Sequence, residues 1–280
     1  MAHLWSSPLK AIFLFPVIEY YTFTTGVGRM TVNYFLYIKA PPEIGDPLRN
    51  LYRNSVVPSL LKNNQVESVH LFTRYIKGRL SNDDEDPPEL TLQIDFSSIE
   101  GLYAMFSSSE LTTLFPLPGT SDATQDVFRP IHYPIAREVN SLPRRAPLSY
   151  NVRYYQPIED AKEFVEFYLT HHPQILAYMP LIRNVLCYLP VQWDDQIGFP
   201  NSGCIIGNEV VFDSFEDLQA ANGSDKLQSQ TQKNLMVSTR NTVFCLSDFR
   251  IRKDRLAAFP ANMEIYVLFT RFPDKLIWGF

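Results

Sequence analysis

The sequence predicts an α+β fold: two ferredoxin-like βαββαβ repeats whose antiparallel sheets close on one another as an intramolecular α/β barrel. Three observations carry that expectation. The 280-residue chain repeats itself at a near-constant offset of 116 residues. Each copy reads strand, helix, strand, strand, helix, strand. Apolar residues make up 45% of the chain, enough to bury a full core at this length and to exclude a mostly disordered protein.

The repeat comes first, because missing one misassigns the whole fold. Asn33 to Tyr52 lies over Ser149 to Tyr168 without a gap, matching Tyr34 with Tyr150, Pro41 with Pro157, Glu43 with Glu159 and Tyr52 with Tyr168. The register slips by one, setting Val56-Val57-Pro58 over His171-His172-Pro173, and recovers at Val66 over Ile182. Further on, Phe96, Ser98, Glu100 and Leu102 meet Phe212, Ser214, Glu216 and Leu218. Identities are few, but one offset held over so long a stretch points to two copies of one unit. The expected division is an extension at 1–28, a degenerate first repeat at 29–140, a second repeat at 147–249 and an extension at 250–280.

Within the copies, Thr31 to Lys39 and Leu148 to Gln156 are rich in Tyr, Phe, Val and Ile and stop at prolines, as strands do. Asp160 to Leu169 spaces Ala161, Phe164, Val165, Phe167 and Tyr168 helically, with acidic residues in the opening turn. Second strands are expected at Val66 to Tyr75 and Ile182 to Leu189, and third strands at Leu90 to Phe96 and Asn208 to Phe212. Ser98 and Ser214 suit the N-caps of the helices that follow. Fourth strands fall at Val127 to Tyr133 and Thr242 to Ser247. This order is the split βαβ unit, whose sheet carries helices on one face and needs a cover on the other. Two such sheets can cover each other. The acidic stretch within Gly78 to Glu89 and the segment Val191 to Ile205 are expected as insertions between second and third strands. The runs Ala11 to Ile18 and Met263 to Phe269 are strand-like and lie outside both copies.

Charge and motifs narrow the function. The net charge of −5 gives no footprint for nucleic acid or anionic membrane, and the cluster Arg250, Arg252, Lys253, Arg255 reads as solvated surface. Three widely spaced cysteines, Cys187, Cys204 and Cys245, fit reduced thiols in a cytoplasmic protein and form no metal-binding pattern. Ala11 to Ile18 is too short to span a bilayer. Nucleophile elbow, phosphate loop, dinucleotide fingerprint and calcium-loop patterns are missing, which counts against hydrolase, kinase and dehydrogenase chemistry.

The second copy resembles the EthD-like family of the dimeric α/β-barrel proteins. The likeness rests on the strand YNVRYY (Tyr150 to Tyr155), the helix end FYLTHHPQILAYMP (Phe167 to Pro180) and the strand start LIRNVLCY (Leu181 to Tyr188). The first copy departs from it where Val56-Val57-Pro58 replaces the His pair. Members usually dimerise to close the barrel, so the resemblance implies that a tandem copy does this within one chain, as a monomer or as a homodimer of such chains. It also implies chemistry on small molecules, including monooxygenation, cyclisation, dehydration and lysis, often with no metal or organic cofactor. None is expected here.

Several side chains could carry such chemistry. His171 and His172 can exchange protons near neutral pH; about 100° apart on a helix, only one of them would face a pocket. The structural alternative is contact with carbonyls at the helix end. Strand parity places Asn151, Arg153 and Tyr155 on one face of their strand, and Asn33, Phe35 and Tyr37 on the equivalent face of the first copy. His70, Phe72 and Arg74 share a face, as do Arg183 and Val185. Together these would line an aromatic cavity with a few convergent donors. His132 is expected in a loop, and Asp194 and Asp195 in a solvated loop or as carboxylate partners of the His pair.

The leading expectation is a lyase or cyclase using dehydratase-type acid–base chemistry on a small apolar aromatic or polyketide-like substrate. His171 or His172 moves the proton while Arg153 and Tyr155 stabilise the developing oxyanion. Asn151, Tyr37, Phe35, His70, Phe72, Arg74 and Arg183 bind the substrate. A cofactorless monooxygenase and a carrier of hydrophobic ligands are the alternatives.

Overall fold

Residues 31–74, 87–107, 115–119, 121–135, 148–155, 158 and 160–222 are described in full by the computed structural model, with the backbone of 240–246 and 269–271. The first half runs β1 (Val32–Lys39), α1 (Pro42–Leu51), a π-helical turn (Tyr52–Val56), α2 (Val57–Leu60), β2 (Val66–Thr73), β3 (Leu90–Phe96), α3 (Ile99–Phe106) and β4 (Asp122–Tyr133). The second runs β5 (Leu148–Tyr155), α4 (Ala161–Leu176), β6 (Asn184–Pro190), β7 (Cys204–Phe212), α5 (Phe215–Asn222) and β8 (Arg240–Leu246); β9 (Phe269–Arg271) follows. The 1–28 extension lies outside the described residues, as does the 250–280 extension apart from β9. Among described residues no helix is long and apolar enough to cross a membrane.

The nine strands among the described residues form one antiparallel sheet in the order β2-β3-β1-β4-β6-β7-β5-β8-β9, with a further pairing of β2 with β8. Each run of four strands has the same internal order, and the ladders match in register. Val32 faces Phe96 as Leu148 faces Phe212. Val69 faces Ile94 as Val185 faces Val210. Asn33 faces Phe128 as Ser149 faces Phe244. Pro130 faces Tyr188 across one junction as Leu246 faces Phe72 across the other. Every partner in these comparisons is shifted by 116 residues.

Hydrophobic alternation decides which face the helices cover. Val32, Tyr34, Leu36 and Ile38 of β1, with Leu90, Leu92, Ile94 and Phe96 of β3, pack under Leu48, Tyr52 and Leu60 of the first helical segment and Leu102, Met105 and Phe106 of α3. In the second half, Val152 and Tyr154 of β5 pack with Tyr168 of α4. The helices open where expected: the Ser98 hydroxyl accepts from Gly101 N at 3.3 Å, the Asp160 carboxylate from Glu163 N at 2.8 Å and the Ser214 hydroxyl from Asp217 N at 3.1 Å. The π-helical turn falls where the 116-residue alignment slips by one residue. One extra residue swells a helix into a π-turn, so the flanking turns keep their faces on the sheet.

Candidate functional site on the inner face

The opposite parity builds the inner face, the side of the sheet turned away from the helices. Buried polar side chains concentrate there, among them Asn33, His70, Gln93, Asp126, Asn151 and Arg153. At its centre stands Arg153, 1% exposed. Its guanidinium carbon lies 5.2, 5.3 and 5.0 Å from the ring centres of Phe35, Phe128 and Tyr188, an enclosure that favours a cation by ring quadrupoles. Nε donates to the Tyr37 hydroxyl at 3.4 Å, joining two residues 116 positions apart. Nη1 and Nη2 are buried and have no hydrogen-bond partner among the described residues. Burial works against the charge, but Tyr37, Cys204 and Tyr188 outweigh it and hold the guanidinium protonated.

Gly207 makes room for that guanidinium. A Cβ there would overlap Nη1 and stand 2.9 Å from Cζ and 3.0 Å from Cδ.

Asp126, 2% exposed, lies beside this group on β4. Burial pushes its carboxyl up to about 7, against the opposing pull of Ser202, Arg153 and Tyr37. Ser202 holds it through its hydroxyl and, at 3.3 Å, its backbone N–H. Ser202 belongs to the segment between β6 and β7, which crosses onto the first half: Gln125 N donates to Pro200 O at 2.9 Å, and Trp193 packs edge-on to Tyr34 at 6.1 Å. A residue of one half is thus held by the connecting segment of the other.

Two further polar groups share the inner face. The Asp95 carboxylate receives Asn33, Ser68, His70 Nε2 at 2.9 Å and Gln93 Nε2 at 2.6 Å. Although burial raises it, His70, Ser68 and Gln93 lower it to about 2, so it is ionised. Glu209 receives Tyr188 and, at 2.6 Å, Ser149, whose hydroxyl accepts from Asn151 at 2.8 Å.

Of the residues singled out from sequence, the structure gathers Phe35, Tyr37, His70, Phe72, Asn151 and Arg153 on this face. Tyr155 ends β5 half-buried on the same face: the extra residue of the ladder irregularity, Ile205, lies on β7, so Tyr155 keeps its parity with Arg153 and packs on the cluster that holds Phe35 and Tyr37. The pairing of His171 or His172 with Arg153 is corrected. Tyr168, one turn earlier, packs on Tyr154 at 5.0 Å, so α4 covers the outer face and the pair stands across the sheet from Arg153. His171 is exposed, stacks on Phe167 and contacts the Phe167 carbonyl through Nδ1 at 2.9 Å. His172 tilts on Tyr168, and burial lowers its imidazole to about 4. The inward placement of Arg183 and Val185 is also corrected: Val185 belongs to the core and Arg183 precedes β6, its Nε donating to Asp213 at 2.7 Å. The 116-residue offset sets His70 against Leu186, which puts Val185 on the outward parity. Arg74 is exposed just past the end of β2. His132 lies within β4 rather than in a loop, and Asp195 caps a turn by accepting from Ile197 N and Gly198 N.

Sequence reasoning missed Asp95, Asp126 and Glu209. Parity applied to the third strands would have flagged Asp95 and Glu209, since a carboxylate inside an apolar strand must face either water or a partner. Asp126 escaped because the fourth strand is expected only from Val127, whereas β4 starts at Asp122. Among the described residues no group of three or more His, Cys, Asp or Glu side chains is placed to hold a metal ion.

The sequence matches no family model and no curated protein. Solved structures do match. An anthrone oxidase-like protein aligns over 82% of this chain and 96% of its own, with a TM-score of 0.56 at 12% identity. A candidate monooxygenase from Fusobacterium nucleatum aligns over 78% and 93%, with a TM-score of 0.50 at 7% identity. At such identities the likeness is one of fold alone: a ferredoxin-like antiparallel sheet backed by helices.

Proposed function

We propose that the inner face binds a small oxygenated aromatic or polyketide-like molecule and starts its conversion by removing a proton. Asp126 takes the proton from an acidic C–H or phenolic O–H. Arg153, through its two uncommitted terminal nitrogens, holds the oxyanion that forms, with Tyr37 orienting both groups. The observation that carries this is the buried, aromatic-walled guanidinium whose Nη1 and Nη2 lack partners among the described residues, beside a carboxyl that burial pushes up to about 7. Preorganised donors aimed at a developing oxyanion are the largest single contributor in many such reactions. The enolate is electron-rich, and we propose dioxygen as its acceptor: one oxygen atom enters the product as a carbonyl and the other leaves as water. The names of the two fold relatives favour this outcome over the lyase or cyclase expected from sequence, which begins from the same enolate.

We also infer that the halves 29–140 and 147–249 are copies of one unit, closed as an intramolecular pseudo-dimer. The common 116-residue offset of every ladder supports this, as does a single solved chain that spans more of this one than either half.

Anthrone is a suitable probe, having one enolisable CH2 and one ketone. Oxygen uptake matched by anthraquinone formation is expected, with Asp126→Asn and Arg153→Met each lowering the rate about 100-fold or more. Conversion that proceeds equally without oxygen would move the reading to a lyase or cyclase. Anthrone bound and recovered unchanged would move it to a carrier.

A further inference from the structure

The inner face holds a second ionic group that the proposed reaction does not use. Ser68, His70 and Phe72 share the inward parity of β2, and Phe72 joins the same apolar cluster as Phe35 and Tyr37. His70 is 8% exposed. Its Nε2 stands 2.9 Å from Asp95 Oδ2 and 3.2 Å from Ser68 Oγ. Ser68 spends its own hydrogen on Asp95, so Asp95 and Ser68 both present acceptors to Nε2. Nε2 therefore carries the proton, and in the neutral ring Nδ1 keeps the lone pair. Nδ1 is buried and has no hydrogen-bond partner among the described residues, and the Thr91 hydroxyl on the neighbouring strand is in the same condition.

We propose that the Asp95–His70 pair is a second pole of the ligand site, where Nδ1 accepts a hydrogen bond from a hydroxyl of the ligand remote from the oxygen held by Arg153. This rests on the reading that Arg153 binds the first oxygen. His70 pairs with Gln93, which pairs with Phe35, two residues from Tyr37. Strand spacing then sets the Cα atoms of His70 and Tyr37 on the order of 12 Å apart, with Phe35 and Phe72 between the poles. A single phenol ring is too short to reach both. A fused polycyclic with oxygens at opposite ends fits, so the site selects ligands by length and by a hydroxyl at the His70 end with a hydroxyl or keto oxygen at the Arg153 end.

The test compares 2-naphthol with 2,6-dihydroxynaphthalene as probes of equilibrium binding. Wild type is expected to bind the diol about tenfold more tightly, the worth of one hydrogen bond to a charge-supported partner. His70→Met, which removes the Nδ1 acceptor and leaves Asp95 with Asn33, Ser68 and Gln93 as donors, is expected to abolish that preference and leave 2-naphthol binding unchanged. Arg153→Met is expected to weaken both probes. If the preference is absent from wild type or survives in His70→Met while Arg153→Met weakens both, the second pole is refuted and the Arg153 reading stands. If Arg153→Met changes neither affinity, or neither probe binds, both fail. A measurement on wild type alone guards against a misfolded variant: in protein carrying 15N-labelled histidine, the diol should shift one Nδ1 resonance strongly and 2-naphthol should not. Equal shifts with both probes would overturn the proposal.

Discussion

Arg153 shows how a single buried charge can organise a site. A guanidinium this deep is tolerable only where rings and dipoles replace water, and three aromatic faces and Tyr37 do so on all but its terminal nitrogens. Gly207 is part of that arrangement, since any Cβ there displaces the guanidinium. Gly207→Ala is expected to cost about 1–3 kcal/mol by overpacking and to abolish ligand binding with it; urea denaturation alongside probe binding checks both. Asp126 links stability to pH with a definite sign. Its folded value near 7 lies above its unfolded value of about 4, so between the two the native state keeps a proton that the unfolded chain has released. That contribution is complete below about pH 4 and is lost as the pH rises through 7. Asp95 runs the other way, losing stability as the pH falls from about 4 toward 2. Melting temperatures of wild type and Asp126→Asn measured from pH 5 to 8 should therefore diverge, with wild type losing more stability as the pH rises. Parallel curves would show that Asp126 is not buried as described.

Among the elements, the first helical segment has one residue more than α4 between the positions aligned as Tyr52 with Tyr168 and Val56 with His171, and that residue appears as the π-turn Tyr52–Val56. Deleting the exposed Asn54 is expected to convert the turn to α-helix, because it restores the spacing of α4. Thermal melting should place the deletion variant close to wild type, whereas deleting a residue within regular α4 should unfold the second half. The segment between β6 and β7 is the other telling element. Its anchor is Trp193, packed against Tyr34 and Phe106, and its far end grips Asp126 through Ser202. Trp193→Ala is expected to cost about 2 kcal/mol, less than a fully buried Trp, and to lower turnover by loosening Asp126. Retained turnover at reduced stability would show that Ser202 holds Asp126 without help from the anchor.

At the scale of the whole molecule, much of the fold was legible because strand order and register recur at one 116-residue offset. Weak identities became strong once they had to fall at that one offset, and strand parity put Asn33, Phe35, Tyr37, His70, Phe72, Asn151 and Arg153 on the face where the structure has them. The rest failed for physical reasons. His171 and His172 stand out by residue type, but only packing decides which face of the sheet a helix covers, and Tyr168 on Tyr154 settles it against them. Asp126 draws its character from partners distant in sequence: Ser202 lies 76 residues away and meets it through the fold alone. The inner face joins groups from both halves, Tyr37 and Asp126 from one and Arg153 and Ser202 from the other.

The most direct test of that assembly is the pH dependence of kcat/KM for anthrone oxidation in wild type and Asp126→Asn. A buried base must be ionised to act, so the wild-type rate should rise with pH and level off above about 7 while its stability declines. The variant should show a low rate without that rise. The same rising profile in both proteins would contradict the account and take the proton transfer away from Asp126.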